Sequence, residues 1–431
     1  MSTNISLFAQ VIRLLPRPLI KKLSTEFQVD KHSKHFTSWQ HLVSMIFSQF
    51  SSCISLREIS NGLRSATGNL NHLGICTAPS KSNLSYQNEH RTSDFFRACY
   101  YALLDYFGQQ GMGQGRKFRF KQPVKLLDST TITLCLALYD WAKYTHTKGA
   151  VKLHTLLDFK TLLPEYVHIS DGKGHDGKMA NSIPIPAGSI VVADRGYADT
   201  ALLNSWDSTQ VSFVVRHPRS LKYEVIQELE LPEHGHQQIL VDQKVRLTGV
   251  ETQGKYTKPL RHIALYNEQH GDVVELLTNI DTLAASSIAL LYRSRWLIEI
   301  FFRNLKQRLS MKAFLGTTRN AVEVQIWTAL ITMLLMVYLK SIAKYRWCLS
   351  NLVSSLRINT FTKMDLMQWL NEPFTPPPES ENQLLADDEE SSAKTDDAQT
   401  EVMIGLANDI KAAGPAPAPP APPAPARRAA S

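Results

Sequence analysis

The run from Leu290 to Leu309, LLYRSRWLIEIFFRNLKQRL, constrains the fold of this chain more than any other stretch. At 3.6 residues per turn, successive side chains advance about 100°. Read as one helix, the run sets Tyr292, Arg295, Glu299 and Lys306 within an arc of roughly 60°. Nearly every other direction carries an apolar side chain: Leu291, Leu297, Ile298, Ile300, Phe301, Phe302, Leu305 and Leu309. A helix apolar on most faces is usually a buried one. One carboxylate, two cations and a phenol on a narrow stripe of a buried helix need a metal, a phosphate or another buried charge to balance them. The alternative is a partly exposed amphipathic helix whose stripe is simply solvated.

The rest of the chain bears on that choice. Its 431 residues allow two or three domains, and 43% hydrophobic residues support a large core. The formal net charge of +8 is unevenly spread. Residues 372–431 hold 4 basic and 11 acidic side chains, which leaves 43 basic and 28 acidic in residues 1–371. A body that basic suggests a polyanionic partner, with nucleic acid the usual one. The five cysteines lie far apart with no CxxC pair, which speaks against structural zinc and fits a reducing cytosol. The first residues lack the long apolar core of a signal peptide. The longest apolar run, Ile326 to Leu339, is too short for a membrane span and reads as a core helix.

Residues 1–115 read as helical. Thr37-Ser38 suits the start of a helix running to Phe50, and Ser55 with Glu58 forms a capping box for the next. A polar helix over Pro79 to Arg91 suits DNA reading, with Lys81, Asn83, Gln87 and Arg91 as contacts; a solvated helix in an ordinary helical domain is the alternative. From about residue 122 the pattern turns to strands. Val124–Asp128 and Thr130–Leu138 read as consecutive strands joined by a tight turn. Ala150–Phe159, Tyr166–Ser170 and Ser189–Asp194 are further strands. Residues 200–285 read as strand-rich. Ala284–Met311 is expected as one long helix and Ala321–Lys344 as another. Residues 345–371 form a helical segment. Beyond residue 372 the acidic and Pro/Ala-rich sequence cannot bury enough surface to fold.

Asp128 and Asp194 each end an apolar strand, and Glu299 lies on the apolar helix. Three carboxylates with no cysteine or histidine cluster favour a hard cation such as Mg²⁺ or Mn²⁺. Two such ions can activate a nucleophile and stabilise the leaving oxygen in phosphodiester displacement.

At this point the spacing Tyr292, Arg295, Glu299, Lys306 resembles the YREK signature of bacterial insertion-sequence DDE transposases of the IS-four type. LLDSTTI around Asp128 is similar to that family's first-Asp strand, and VVADRGY around Asp194 to its second. KGAVKLH, GHD, SFVVRHPRS and KHFTSWQHL fit as well, so the likeness covers about residues 5–360. It implies an α/β fold. An RNase H-like catalytic core would span 120–200 and 285–345, with a β-rich insertion at 200–285 and a helical N-terminal DNA-binding domain at 1–115 ahead of it. It implies that Asp128, Asp194 and Glu299 bind two Mg²⁺ ions, with Mn²⁺ a possible substitute. The activity implied is cleavage at element ends and strand transfer into target DNA by cut and paste. Tyr292, Arg295 and Lys306 would hold DNA phosphates, and Arg295 can grip one bidentately. Lys152 and His154 alternate with apolar neighbours on a strand and either line the site or form a surface-facing pair. The partners implied are double-stranded DNA, as terminal inverted repeats and target, and a second copy on paired ends, in a bacterial cytoplasm at the nucleoid and without a membrane. Some members flip a base onto a tryptophan of the insertion. Here Trp206 is the tryptophan of that stretch, close after Asp194, which leaves the flipping residue unassigned. Trp296, beside the stripe, reads as core. Two rivals stand beside it: an inactive or co-opted DNA-binding protein of the same fold, and a metal-dependent nuclease without strand transfer.

Overall fold

The computed structural model describes residues 4–374, apart from 67–68, 114–119, 136–137, 143–148, 173–178, 219, 232–237, 250–251, 253, 268–270 and 309–313. Six helices come first: α1 (Leu7–Arg13), α2 (Arg17–Glu26), α3 (Ser38–Phe50), α4 (Leu56–Ser65), α5 (Lys81–His90) and α6 (Ser93–Gln109). Their starts follow side-chain chemistry. Thr37 and Gln40 close a full capping box on α3. Ser55 and Ser80 accept N–H groups at the starts of α4 and α5.

Nine strands follow: β1 (Val124–Leu134), β2 (Gly149–Asp158), β3 (Pro164–Asp171), β4 (Ile190–Ala193), β5 (Ser212–Arg216), β6 (Tyr223–Glu228), β7 (Ile239–Leu247), β8 (Leu260–Asn267) and β9 (Asp272–Thr278). They form one sheet in the order β3-β2-β1-β4-β5-β9-β8-β7-β6. β2 runs antiparallel to both β1 and β3, and β4 and β5 run parallel to β1. A parallel step needs a crossover, and helix α7 (Thr200–Ser208) supplies it between β4 and β5. Its Leu202, Leu203 and Trp206 pack under the sheet with Val191, Ala193, Phe213 and Val215.

Three expectations change here. Residues 124–138 are not two strands with a turn: β1 runs unbroken to Leu134, since β2 pairs with it at every residue from Lys125 to Leu134. Residues 200–216 are not all strand: helix α7 precedes β5, and β5 to β9 continue the one sheet. The long C-terminal helix is two helices, α8 (Ala285–Arg293) and α9 (Trp296–Arg308).

Helices α10 (Arg319–Ile342), α11 (Leu349–Ile358) and α12 (Leu366–Asn371) complete the fold. α10 is long and apolar enough to cross a membrane, but it lies buried inside the protein. It packs against α3, α5, α6, α9 and α11. Asn320 at its start donates to the carbonyls of Asn88 and Arg91 (2.9 and 2.8 Å) and accepts from Ser93 N–H (2.9 Å), which pins the joint between α5 and α6. The front helices therefore share one compact unit, Met1–Pro373, with the sheet.

Candidate active site

β1 and β4 deliver two aspartates side by side. Their register sets Leu127 against Ala193, and both side chains belong to the apolar cluster beneath the sheet. Side chains alternate along a strand, so Asp128 and Asp194, each one residue further on, face the other side. Each carboxylate accepts the next backbone N–H: Ser129 to Asp128 Oδ1 at 2.7 Å, and Arg195 to Asp194 Oδ1 at 2.6 Å.

The third carboxylate arrives from the helix pair above. Ser294 Oγ donates to the Leu291 carbonyl at 2.6 Å, and the N–H groups of Arg295 and Ile298 bond three residues back rather than four. This tight step separates α8 from α9, and such steps inside helices often mark functional hinges. Tyr292 thus ends one helix and Glu299 sits in the first turn of the next, so the single 60° stripe does not exist as one helical face. The residues meet nonetheless. Arg295 Nη2 donates to Glu299 Oε1 at 2.7 Å, Nη1 lies 3.5 Å from Asp128 Oδ2, and the guanidinium carbon stands 5.9 Å from the Tyr292 ring centre.

Charge shows the same convergence. Burial pushes the Asp128 carboxyl up to about 6; Glu299 and Asp194 push the same way, while the Ser129 N–H and Arg295 oppose them. Burial also raises the Tyr292 hydroxyl, and Asp194 adds to it against Arg295 and Arg216. For Arg295, burial favours the neutral form, but Tyr292, Glu299 and Asp128 outweigh it and the net shift is upward. One guanidinium bridges Asp128 and Glu299 while the Asp194 charge acts on Asp128, which leaves excess negative charge among oxygen donors in a half-buried place. That donor set suits a hard divalent cation. Among the described residues no three ligands are gathered into a finished cation cage; Arg295 bridges two of the three.

The remaining candidates separate. Lys306 Nζ donates to the Thr131 carbonyl of β1 at 2.7 Å, and burial alone lowers its pKa. Lys152 and His154 do not line the site. The register pairs Asp128 with Thr155, and His154 with Ser129, and directly opposed residues share a face. His154 and Lys152 therefore point to the sheet face away from Asp128, where His154 is fully buried and bonds Ser170 Oγ at 3.0 Å. Arg91 is not a surface DNA contact: its side chain is 1% exposed, pairs with Asp30 at 3.3 Å and donates to the Phe36 carbonyl at 3.0 Å. The polar character of the Pro79–Arg91 stretch suggests that it is exposed. Lys81 and Asn83 are exposed on α5, whose Leu84 and Asn88 face inward. Trp206 is core, and Trp296 lies under Arg303, 5.7 Å from its ring centre. Lys148, Gly174, His175 and Asp176 fall outside the described residues.

Sequence reasoning missed Arg216 as a site residue. It ends β5, its charge reaches Tyr292, and it pairs with Asp272 at 3.8 Å. The signal was present, since Arg216 lies inside the SFVVRHPRS stretch.

Comparison with known proteins gives the following. The family described as "Transposase DDE domain" matches residues 119–335. A domain of unknown function matches residues 3–76. A Sinorhizobium fredii protein named as a transposase is 29% identical over 256 residues, covering 59% of this chain and 70% of that one. A Geobacillus stearothermophilus protein named as a transposase for insertion sequence element IS5377 is 30% identical over 224 residues, covering 52% of this chain and 58% of that one. A cryo-EM structure of the piggyBac transposase synaptic complex with hairpin DNA aligns over 84% of this chain and 81% of its own, at 10% identity and a TM-score of 0.40. So loose an alignment bears no weight here.

Proposed function

The chain belongs to the DDE transposase domain family, and we propose that Asp128, Asp194 and Glu299 are its three catalytic carboxylates. A member of this family is a DNA transposase, an enzyme that cleaves DNA and transfers strands, and the family works with divalent metal ions. The observation that carries the assignment is the bridge made by Arg295. It joins Asp128 and Glu299, which lie 171 positions apart in sequence, while the Asp194 charge acts on the same Asp128 carboxyl.

The three carboxylates would hold Mg²⁺, with Mn²⁺ as substitute. Bound there, the ions would supply an activated water or 3′-hydroxyl and charge stabilisation of the leaving oxygen. The protein's own part is positioning. Arg295 is fixed by Glu299 and the Tyr292 ring, and its planar guanidinium suits two phosphate oxygens at once. When a phosphodiester takes those donors, the carboxylates are released from the guanidinium. Tyr292 carries a half-buried hydroxyl, within the field of Asp194, that stays protonated and can donate to a phosphate. Lys306, held against β1 three residues beyond Asp128, places a further cation along the same helix.

Around this site we assign β1 to β5 with α7, α9 and α10 to the RNase H-like core, β6 to β9 to the β-rich insertion, and α1 to α6 to DNA binding. The tight step that ends α8 between Tyr292 and Glu299 supports the YREK subgroup, since it brings Tyr292, Arg295 and Glu299 into one cluster. The reaction is cut and paste on terminal inverted repeats, by a pair of copies on paired ends. Lys81 and Asn83, exposed on the polar face of α5, are the base-reading candidates.

The test is Mg²⁺-dependent cleavage of a labelled duplex carrying the element's ends. Asp128→Asn, Asp194→Asn and Glu299→Gln should each lower the rate on the order of a thousandfold or more while leaving DNA affinity in EDTA intact. A variant that keeps cutting at the normal rate removes its residue from the site.

A further inference from the structure

A second cationic surface lies on the front helices, apart from α5. A groove of about 980 Å³ runs between α2 and the start of α3, and its walls include Arg17, Lys21, Lys31 and Trp39. Arg13, Arg17, Lys21, Lys22, Lys31 and Lys34 are all exposed, and across residues 13–35 only Glu26 and Asp30 oppose them. Asp30 is turned inward. Its Oδ1 accepts from Ser38 N–H at 2.7 Å and pairs with Arg91 at 3.3 Å, and its Oδ2 accepts from Ser38 Oγ at 2.7 Å. The carboxylate that lines the groove is thereby balanced by a buried arginine, and no ion pair among the described residues involves Arg17, Lys21 or Lys31.

Arg17 is also held in place. Its guanidinium carbon lies 4.7 Å from the Trp39 ring centre, and it sits so close to Gly74, at φ +71°, that any side chain at Gly74 would collide with it. Trp39 is fixed in turn by its Nε1–H bond to the Leu73 carbonyl at 2.9 Å. The N–H groups that open α3 are taken by Gln40, Asp30 and Thr37 side chains. Anion binding therefore falls to the side chains of the groove, one of them a preset guanidinium suited to phosphate.

We propose that the groove between α2 and α3 grips the phosphate backbone of duplex DNA, as a sequence-independent anchor remote in sequence from the three carboxylates. The proposal rests on the reading of the chain as a DNA-acting enzyme. Backbone contacts position a duplex without reading it, so the surface complements α5, whose exposed Lys81 and Asn83 are placed to read bases.

The experiment uses the full chain in EDTA and a labelled duplex of arbitrary sequence, with affinity measured by fluorescence anisotropy across a salt series. Each phosphate contact contributes about 0.9 to the slope of log affinity against log salt. The triple variant Arg17→Ala/Lys21→Ala/Lys31→Ala should lower that slope by ~2 to 3 and weaken binding at least about tenfold at low salt. A control of equal charge loss, Lys121→Ala/Lys255→Ala/Lys344→Ala, should stay near the unsubstituted chain, and Arg17→Lys should retain most of the slope. Equal slopes for the two triples, or no duplex binding by the unsubstituted chain, would overturn the groove. Cleavage plays no part in this readout, so failure of the groove leaves the carboxylate assignment standing, and failure of the carboxylate variants leaves the groove measurable.

Discussion

Arg91 is buried and Arg295 half-buried, and the difference between their surroundings separates structure from chemistry. Arg91, at the joint of α5 and α6, meets one carboxylate and a set of neutral oxygens: Asp30, Ser33 Oγ and the carbonyls of Phe36 and Thr37. Burial pulls its pKa down to about 10 despite Asp30. Arg295 meets two carboxylates, on one of which the Asp194 charge also acts, and its net shift is upward despite burial. The first site is complete with its arginine and would be ruined by losing it. The second carries more negative charge than its arginine can balance, which is how a site set up for a cation and a phosphate looks before either arrives.

Substitution can break this contrast. The largest expected effect is on cleavage: beyond the carboxylate variants, Arg295→Met should slow Mg²⁺-dependent cutting by roughly a hundredfold. Its melting temperature should fall by less than that of Arg91→Met, because Asp128 and Glu299 are partly exposed and water can replace the lost partner. Cleavage and thermal melts on one preparation check both halves. Arg91→Met should do the reverse. Removing one partner of a buried pair costs about 3 kcal/mol, visible as a lower urea midpoint, while the cleavage rate per folded molecule stays within about twofold. A variant that loses activity without losing stability would move Arg91 back among the functional residues.

A smaller effect sharpens the structural side. His41, fully buried in α3, bonds Asn88 at 2.7 Å, and burial followed by Arg91 pushes its pKa down to about 3. The folded value lies below the unfolded one, near 6.5, so the neutral ring contributes stability above that pH. The contribution is lost as pH falls from 6.5 toward 3, at about 1.4 kcal/mol per pH unit for one proton. Chemical denaturation at pH 7.5 and pH 5 should therefore show a shallower pH dependence in His41→Gln than in the unsubstituted chain. Identical slopes would mean that His41 is not the group taken up by acid.

Particular residues show what could be read from the chain alone. The β4 strand was legible because Ile190 to Ala193 is a short apolar run closed by an Asp and a Gly, and β2, β3 and β7 to β9 followed from alternation and turn residues. Asp194 closes a short apolar strand as the sequence suggests, whereas Asp128, expected at a strand end, lies inside β1. The break between Tyr292 and Glu299 was not legible, because no Gly or Pro marks it; it depends on a serine hydroxyl competing for a backbone carbonyl. Lys152 and His154 misled because alternation gives two faces without saying which faces Asp128, and only the register with β1 decides that. Arg91 misled because the polar pattern of its helix cannot show that Asp30 and three carbonyl or hydroxyl oxygens enclose it. The short helix α7 was absorbed into a strand-rich reading, since Thr200–Ser208 holds little more than two helical turns and its apolar residues do not distinguish the periods.

The most direct test that Asp128, Asp194 and Glu299 share one cation site is to load the protein with Fe²⁺ in place of Mg²⁺ and add ascorbate and peroxide. Radicals formed at the metal cut the backbone nearby, and mass spectrometry maps the cuts. Cleavage should cluster within a few residues of Asp128, Asp194 and Glu299 together, compete with added Mg²⁺, and disappear at all three places in Asp128→Asn. Cuts confined to one of the three segments, or clustered elsewhere, would contradict the convergence of the three carboxylates on a common ion.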